Sequence, residues 1–171
     1  MKYPILIRLL HFLLLLIVFS QIIVGFGFYS IFASINPKTL ITLHKSLGLL
    51  SIIVVILFIL RRLFYKKPPF PSDMPKIQQF IARVVHTLLY LTVLIMGLSG
   101  LFASMLFNSH WDVFYLFPMP QLIAPNPQLG ATIFAWHTSG AIILSILIIL
   151  HLLGVIQHQY IKKDKILKKI F

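Results

Sequence analysis

The sequence of 171 residues contains no cysteine, only three acidic residues and few charged residues of any kind. The absence of cysteine excludes a cysteine-ligated iron–sulfur cluster, a covalently attached c-type haem and thiol catalysis. Hydrophobic residues make up 59% of the chain and charged residues 11%, whereas soluble domains are about a quarter charged. This composition predicts an integral membrane protein.

Four apolar segments are long enough to cross roughly 30 Å of hydrocarbon as helices. They predict membrane spans over residues 5–28, 40–64, 77–107 and 130–157. The runs are continuous, which excludes the alternating pattern of a membrane β-barrel. Because short connections make successive helices antiparallel, we predict an all-α membrane protein. Residues 1–171 would form a single integral membrane domain, a four-transmembrane-helix antiparallel bundle.

The net charge of +12 is distributed unevenly along the 15 lysine and arginine residues. All but Lys38 and Lys45 lie near the termini or near the connection between spans two and three. Positively charged flanks stay in the cytoplasm, which predicts that both termini are cytoplasmic. The basic residues therefore favour the headgroups of anionic membrane lipids as partners, and we expect no nucleic acid.

Six of the seven histidines lie in or at the ends of the predicted spans, where an ionisable side chain is costly and usually functional. At about 1.5 Å per residue, helix depth sorts five of them into an outer pair and an inner trio. The outer pair is His44 and His137, and the inner trio is His11, His86 and His151. Depth alone does not choose between His11 and His86 as the partner of His151.

The spacing between His137 and His151 is the most informative single pattern. Fourteen residues return to nearly the same helix face, about 21 Å further along the axis. Two ligands placed in this way predict two haems stacked across the membrane, and His158 continues the same face to the cytoplasmic boundary. Nearby glycines favour close approach of a flat macrocycle, although small residues and histidines also serve helix–helix packing.

Several segments resemble the bacterial cytochrome b561 family, and the resemblance covers nearly the whole chain. They are LHKSLGLL around His44, the RR pair ending span two, PPFP followed by VVHTLLYL, and WHTSGAIILSILIILHLLGVIQHQYIKKDKIL. The resemblance implies a four-helix bundle that holds two haems b with bis-histidine ligation. By motif, His44 and His137 would bind the outer haem iron and His11 and His151 the inner one. His86 and His158 would line a quinone site.

The resemblance also implies an activity. Family members of this size resemble superoxide oxidases of the bacterial inner membrane, which pass electrons from superoxide at the outer face to ubiquinone in the bilayer. Lys38 and Lys45 are the two cations on the outer side and would draw the superoxide anion towards the outer haem. Phe12 and Gln159 depart from residues often found in the family, which affects the quinone site more than haem binding.

Two other functions remain compatible with the sequence. The chain could be a cytochrome b electron-transfer subunit that serves a partner dehydrogenase or another redox protein. A small transporter or proton channel with a histidine relay is the alternative from another class. The three acidic residues, Asp73, Asp112 and Asp164, all lie outside the predicted spans, which argues against a proton channel.

Overall fold

The computed structural model describes residues 2–27, 35–65, 68–71, 74–164 and 167–170. Within these ranges the chain forms four long helices, a π-helical segment and a short last helix. They are α1 (Ile5–Gly27), α2 (Pro37–Leu63), α3 (Lys76–Leu106), α4 (Pro127–Ile156), the π-helical segment (Gln157–Lys162) and α5 (Leu167–Ile170). All four long helices are long and apolar enough to cross a membrane. The prediction of an all-α, four-helix membrane bundle is confirmed, and the protein is a multi-pass membrane protein.

Each long helix begins beside a proline, where a missing backbone N–H is tolerated. In α2, the side chain of Asn36 accepts a hydrogen bond from the backbone N–H of Lys38 at 2.9 Å. In α4, Asn126 caps the backbone N–H of Leu129 in the same way at 3.0 Å. These Asn-Pro caps start both helices slightly before the predicted spans. The predicted end of span one, at residue 28, lies outside the described residues.

The helices pack in chain order, with α1 on α2, α2 on α3 and α3 on α4. Phe58 of α2 is 1% exposed and packs in a cluster with Ile7, Leu10 and Ile17 of α1. Val55, one turn earlier on α2, lies in a second cluster with Val93 of α3 and Leu144 of α4. Helix α2 is consequently the most buried span and α4 the least buried.

The start of the chain and its last helix lie at one end of the bundle, and the α3–α4 connection lies at the other. Arg8, near the start of α1, donates a hydrogen bond from Nε to the carbonyl oxygen of Ile170 in α5 at 3.1 Å. The start of the chain and its last helix therefore share one end, which we call the terminal end. The α3–α4 connection lies at the opposite end, which we call the loop end.

A small hairpin covers α2 at the loop end. Strands β1 (Asp112–Val113) and β2 (Phe117–Pro118) pair antiparallel, with Val113 opposite Phe117. Phe114 and Tyr115 in the turn have φ angles of 48° and 61°, a left-handed conformation that is strained for bulky residues. The fully buried Ser46 of α2 accepts a hydrogen bond from the backbone N–H of Phe114 at 2.9 Å. This bond fixes the turn on α2 two residues after His44.

Candidate functional site

Two histidines from different helices meet near the loop end. His44 of α2 and His137 of α4 have ring centroids 6.2 Å apart and ring planes at 81°. Fourteen residues further along α4, His151 faces two histidines near the terminal end. The structure therefore brings together the same histidines that helix depth groups as an outer pair and an inner trio.

Within the inner trio, His11 and His86 lie at different distances from His151. The ring centroid of His11 on α1 lies 6.4 Å from that of His151, with the planes at 59°. The ring of His86 on α3 is closer, at 5.0 Å, and lies edge-on to His151. Phe58, the buried centre of the α1–α2 cluster, lies 6.5 Å from the ring of His11. His151 is thus flanked by two candidate partners at different distances.

These distances test whether the histidines suit a haem iron. Two imidazoles on opposite sides of one metal have ring centres about 6 Å apart, because metal–nitrogen bonds are about 2 Å and each ring centre lies about 1.1 Å beyond its nitrogen. The His44–His137 separation of 6.2 Å and the His11–His151 separation of 6.4 Å fit this value. The His86–His151 separation of 5.0 Å is too short for it. The donor set suits haem, since imidazole is a common axial ligand of b-type iron.

His137 is oriented by α3. Its Nδ1 lies 3.1 Å from the carbonyl oxygen of Met96 and 3.1 Å from Oγ of Ser99, and that hydroxyl also donates to Met96 O at 3.1 Å. A carbonyl only accepts hydrogen bonds, so Nδ1 carries the proton and Nε2 is the nitrogen with a lone pair for a metal. Hydrogen bonds of this kind fix the tautomer and direction of a metal-binding histidine. No sequence pattern singles out Ser99 for this role.

His44 is held differently. Gln21 of α1 donates a hydrogen bond from Nε2 to the backbone carbonyl oxygen of His44 at 2.7 Å. A Cβ built on Gly25, one turn after Gln21, would lie 3.6 Å from Cε1 of His44. Gln21, like Ser99, is not among the residues predicted from the sequence. An uncharged but strongly polar side chain in the middle of an apolar span was the signal that could have found it.

The predicted quinone residues lie in two different environments. His86 packs on His151, and its Nδ1 donates to the carbonyl oxygen of Ala82 one turn earlier at 2.5 Å. His158 is 8% exposed and lies in the π-helical segment, with its Nδ1 2.5 Å from Oδ2 of Asp164. The segment ends at Lys162, and the left-handed backbone of the next residue, Lys163, turns the chain back towards His158. This turn brings the carboxylate of Asp164 to the histidine.

The two loop-end lysines differ in their contacts. Lys45 follows His44 directly, and its Nζ donates to Oγ of Ser109 at 2.6 Å and lies 5.8 Å above the ring of Trp111. Its ammonium group therefore contacts the loop that leads into the hairpin, through Ser109 and Trp111. Lys38 is exposed in the first turn of α2. Both cations lie on the loop-end side of the bundle.

Some glycines serve helix packing rather than the histidine sites. A Cβ on Gly140 of α4 would lie 2.6 Å from Sδ of Met96 on α3, and a Cβ on Gly97 of α3 would collide with Ile52 of α2. Gly100 is different, because a Cβ there would lie 3.0 Å from Cε1 of His137. The contact at Gly100 is tighter than the ordinary 3.6 Å contact between the Gly25 Cβ position and His44, so the missing side chain of Gly100 makes room for the ring of His137.

Comparison with known proteins gives a consistent match. Residues 2–171 match the sequence profile of a family described as prokaryotic cytochrome b561. The chain is 29% identical to cytochrome b561 homolog 2 of Escherichia coli over 132 residues, which are 75% of this chain and 68% of that protein. It is 30% identical to a protein of Yersinia pestis named a probable superoxide oxidase, over 75% of this chain and 72% of that protein.

Proposed function

The chain belongs to the prokaryotic cytochrome b561 family of membrane b-type cytochromes, which bind haem b and transfer electrons, and we propose that it holds two haems. In this proposal it accepts electrons from superoxide at the loop end and delivers them to ubiquinone near the terminal end. Membership in a cytochrome family favours electron transfer over the transporter or proton-channel alternative. A relative named a probable superoxide oxidase supports the proposed donor.

The observation that carries the proposal is the pair of histidine separations near 6 Å. His44 and His137 would bind one haem iron, and His11 and His151 the other. The short distance from His86 to His151 favours His11 as the inner ligand. In this assignment each haem would take one ligand from α4, His137 for one and His151 for the other.

Haem b would supply an iron that alternates between Fe(III) and Fe(II). With two histidines bound to each iron, no position would stay open, so a donor would pass its electron without binding to the iron. Two superoxide ions lose one electron each and become two molecules of O₂, and the two electrons with two protons reduce one ubiquinone to ubiquinol. Lys38 and Lys45 would attract the anion to the loop end, where His44 lies.

Ubiquinone reduction requires a polar contact for the quinone carbonyls and a source of protons. His158, which is buried, and Asp164, which is partly exposed, form an acid–base pair near the terminal end, and His86 lies against the inner ligand His151. Histidine can donate a hydrogen bond and relay a proton near neutral pH. We therefore assign the quinone site to His86 and His158, with Asp164 orienting His158.

The charge distribution supports an orientation for this reaction. Most of the 15 basic residues are in chain segments that flank the helices at the terminal end, whereas Lys38 and Lys45 lie towards the loop end. The positive-inside rule then directs the terminal end to the cytoplasm. In the inner membrane of a bacterium, superoxide would react at the outer face and the quinone would take its protons from the cytoplasm.

A second candidate donor is a partner redox protein. The hairpin presents Tyr115, Leu116 and Phe117 at the loop end, and Leu116 is 78% exposed. An apolar tip at the same end of the bundle as the outer histidine pair would suit a docking protein that delivers electrons to the same haem. The chain would then act as the cytochrome b subunit of a dehydrogenase or a similar complex.

The donor is tested with the holoprotein in liposomes that contain ubiquinone. A pulse of superoxide is expected to reduce the haems and to form ubiquinol, and superoxide dismutase should abolish both signals. Lys38→Gln is expected to slow haem reduction several-fold at low salt and much less at high salt, because salt screens exposed charges. Haem reduction that persists with dismutase, or reduced haems that yield no ubiquinol, would contradict the proposed reaction.

Gly100→Ala tests the loop-end site through its shape. The new Cβ would press on Cε1 of His137 at 3.0 Å, so we expect lower occupancy or an altered low-spin spectrum of the loop-end haem alone. Gly154→Ala on α4 is the matched control, since no described atom lies within 4 Å of its Cβ position. If both variants have wild-type spectra, the ring of His137 does not occupy the proposed position in the holoprotein.

A further inference from the structure

The carboxamide of Gln21, a half-buried residue of α1, lies against the outer ligand candidate His44. It reaches from α1 to α2, and its Nε2 donates to the carbonyl oxygen of His44 at 2.7 Å. The same nitrogen lies 3.5 Å from the position that a Cβ on Gly48 would take. The side chain is therefore seated over the helical turn of α2 that begins at His44.

Two polar atoms in this region are buried without a hydrogen bond. Within the part of the chain that the structure describes, neither Oε1 of Gln21 nor Nδ1 of His44 has a partner. One is an acceptor, and the other is a donor in the tautomer that binds a metal through Nε2. Buried polar groups nearly always have a hydrogen-bond partner, and this acceptor and this donor could satisfy each other.

The other candidate ligand of the same site shows what His44 lacks. Nδ1 of His137 is anchored by Met96 O and by Ser99 Oγ, both at 3.1 Å. Metal-binding histidines almost always donate their second ring N–H to an acceptor, which fixes the ring and makes it more basic. Among the described residues, the side chain that hydrogen-bonds to the backbone of His44 is that of Gln21.

We propose that Gln21 is the positioning residue of the loop-end haem site, with Oε1 accepting the Nδ1–H of His44 when the ring binds iron. The inference rests on the proposed assignment of His44 as an axial ligand. A carboxamide offers a donor and an acceptor on one planar group. Gln21 would thereby hold both the backbone and the ring of His44, with its Nε2 contact retained.

The hydrogen bond has a direct electronic consequence. An acceptor on Nδ1–H increases electron donation from the imidazole and stabilises ferric iron more than ferrous iron, which lowers the reduction potential. Loss of the acceptor should therefore raise the potential of the loop-end haem. A purely structural role of Gln21 would not make the potential depend on which of its two amide atoms is removed.

The test is a redox titration of the holoprotein carrying Gln21→Met or Gln21→Glu. Methionine keeps the chain length but removes both the donor and the acceptor, whereas glutamate keeps only acceptor oxygens. We expect Gln21→Met to raise the loop-end potential and Gln21→Glu to leave it at or below the wild-type value. Each tenfold loss of preference for ferric iron corresponds to about 59 mV. The terminal-end haem should be unchanged.

Gln79→Met is the matched control. Gln79 donates to the carbonyl oxygen of Met74 at 2.9 Å at the start of α3, which is at the terminal end. The same substitution there should leave the loop-end potential at the wild-type value. If Gln21→Met loses the loop-end haem altogether, retention of that haem in Gln21→Glu still supports the acceptor role.

Three results would overturn the inference while leaving the proposed function standing. They are equal upward shifts in both Gln21 variants, no shift in either, or loss of the loop-end haem in both. Equal effects would assign the role of Gln21 to its contact with the His44 carbonyl alone. A wild-type protein without a loop-end haem would instead contradict the proposed function.

Discussion

Replacing His44 or His137 with alanine is expected to remove one of the two haems and leave the other. His11→Ala and His151→Ala are expected to remove the second haem and retain the first. The reason is that a low-spin b-type haem needs both axial imidazoles. The ring centroids are 6.2 Å apart within the first pair and 6.4 Å apart within the second, and the two pairs use different positions on α4. Haem quantification and low-temperature spectra of the four variants measure this directly.

His86→Ala is the control for the ligand series. Its ring lies 5.0 Å from that of His151, which is too close for a ligand on the opposite side of the same iron. We therefore expect His86→Ala to keep both low-spin signals. If His86→Ala removes the inner signal while His11→Ala keeps it, then the inner haem has been assigned to the wrong pair.

His158→Ala is expected to slow electron exchange with ubiquinone while both haem spectra persist. Positioned acid–base groups typically contribute about 10²-fold or more to a reaction, so we expect a decrease of about that size. Asp164→Asn should show a smaller decrease, because the histidine remains but loses its carboxylate partner at 2.5 Å. Stopped-flow reduction of ubiquinone by the pre-reduced protein gives the rate.

His86→Ala should also slow ubiquinone reduction, and Gln79→Met serves here as the variant at the same end that should leave the rate unchanged. Superoxide should still reduce the haems in the His86 and His158 variants, since the proposed entry point is the loop end. Wild-type quinone kinetics in both single variants and in the double variant would place the quinone site elsewhere. The neighbourhood of the outer haem would then be the next position to examine.

The fold and the grouping of the histidines could be predicted because both follow from distance along a helix. An apolar run of about twenty residues must form a spanning helix, and a rise of about 1.5 Å per residue fixes depth. Depth placed His44 with His137 in the same layer before any contact was known. Choosing between His11 and His86 also requires the rotation and spacing of α1 and α3 around α4, which depend on packing.

The contacts that orient the rings could not be predicted from the sequence. Ser99 and the carbonyl of Met96 reach His137 only because Gly140 lets α4 lie close to Met96 on α3. Glycines near histidines are compatible with a bound macrocycle, but a close helix–helix contact has the same sequence pattern. Gln21 depends in the same way on the packing of α1 against α2.

The π-helical segment at the terminal end and the hairpin at the loop end could not be predicted from the sequence either. The π-helical segment after Ile156 and the left-handed turn at Lys163 bring Asp164 back to His158. A regular helix would have carried these two side chains apart. The hairpin with Phe114 and Tyr115 in left-handed conformations is held by Ser46, a long-range contact that no local pattern indicates.

The most direct test of the central claim is the number of haems bound by the purified wild-type protein. Acidic acetone should extract all of the haem, because the sequence contains no cysteine to attach it. A pyridine haemochrome assay, normalised to protein by amino-acid analysis, is expected to give two haems b per chain. One haem per chain, or none, would contradict the assignment of His44 with His137 and His11 with His151 as two separate ligand pairs.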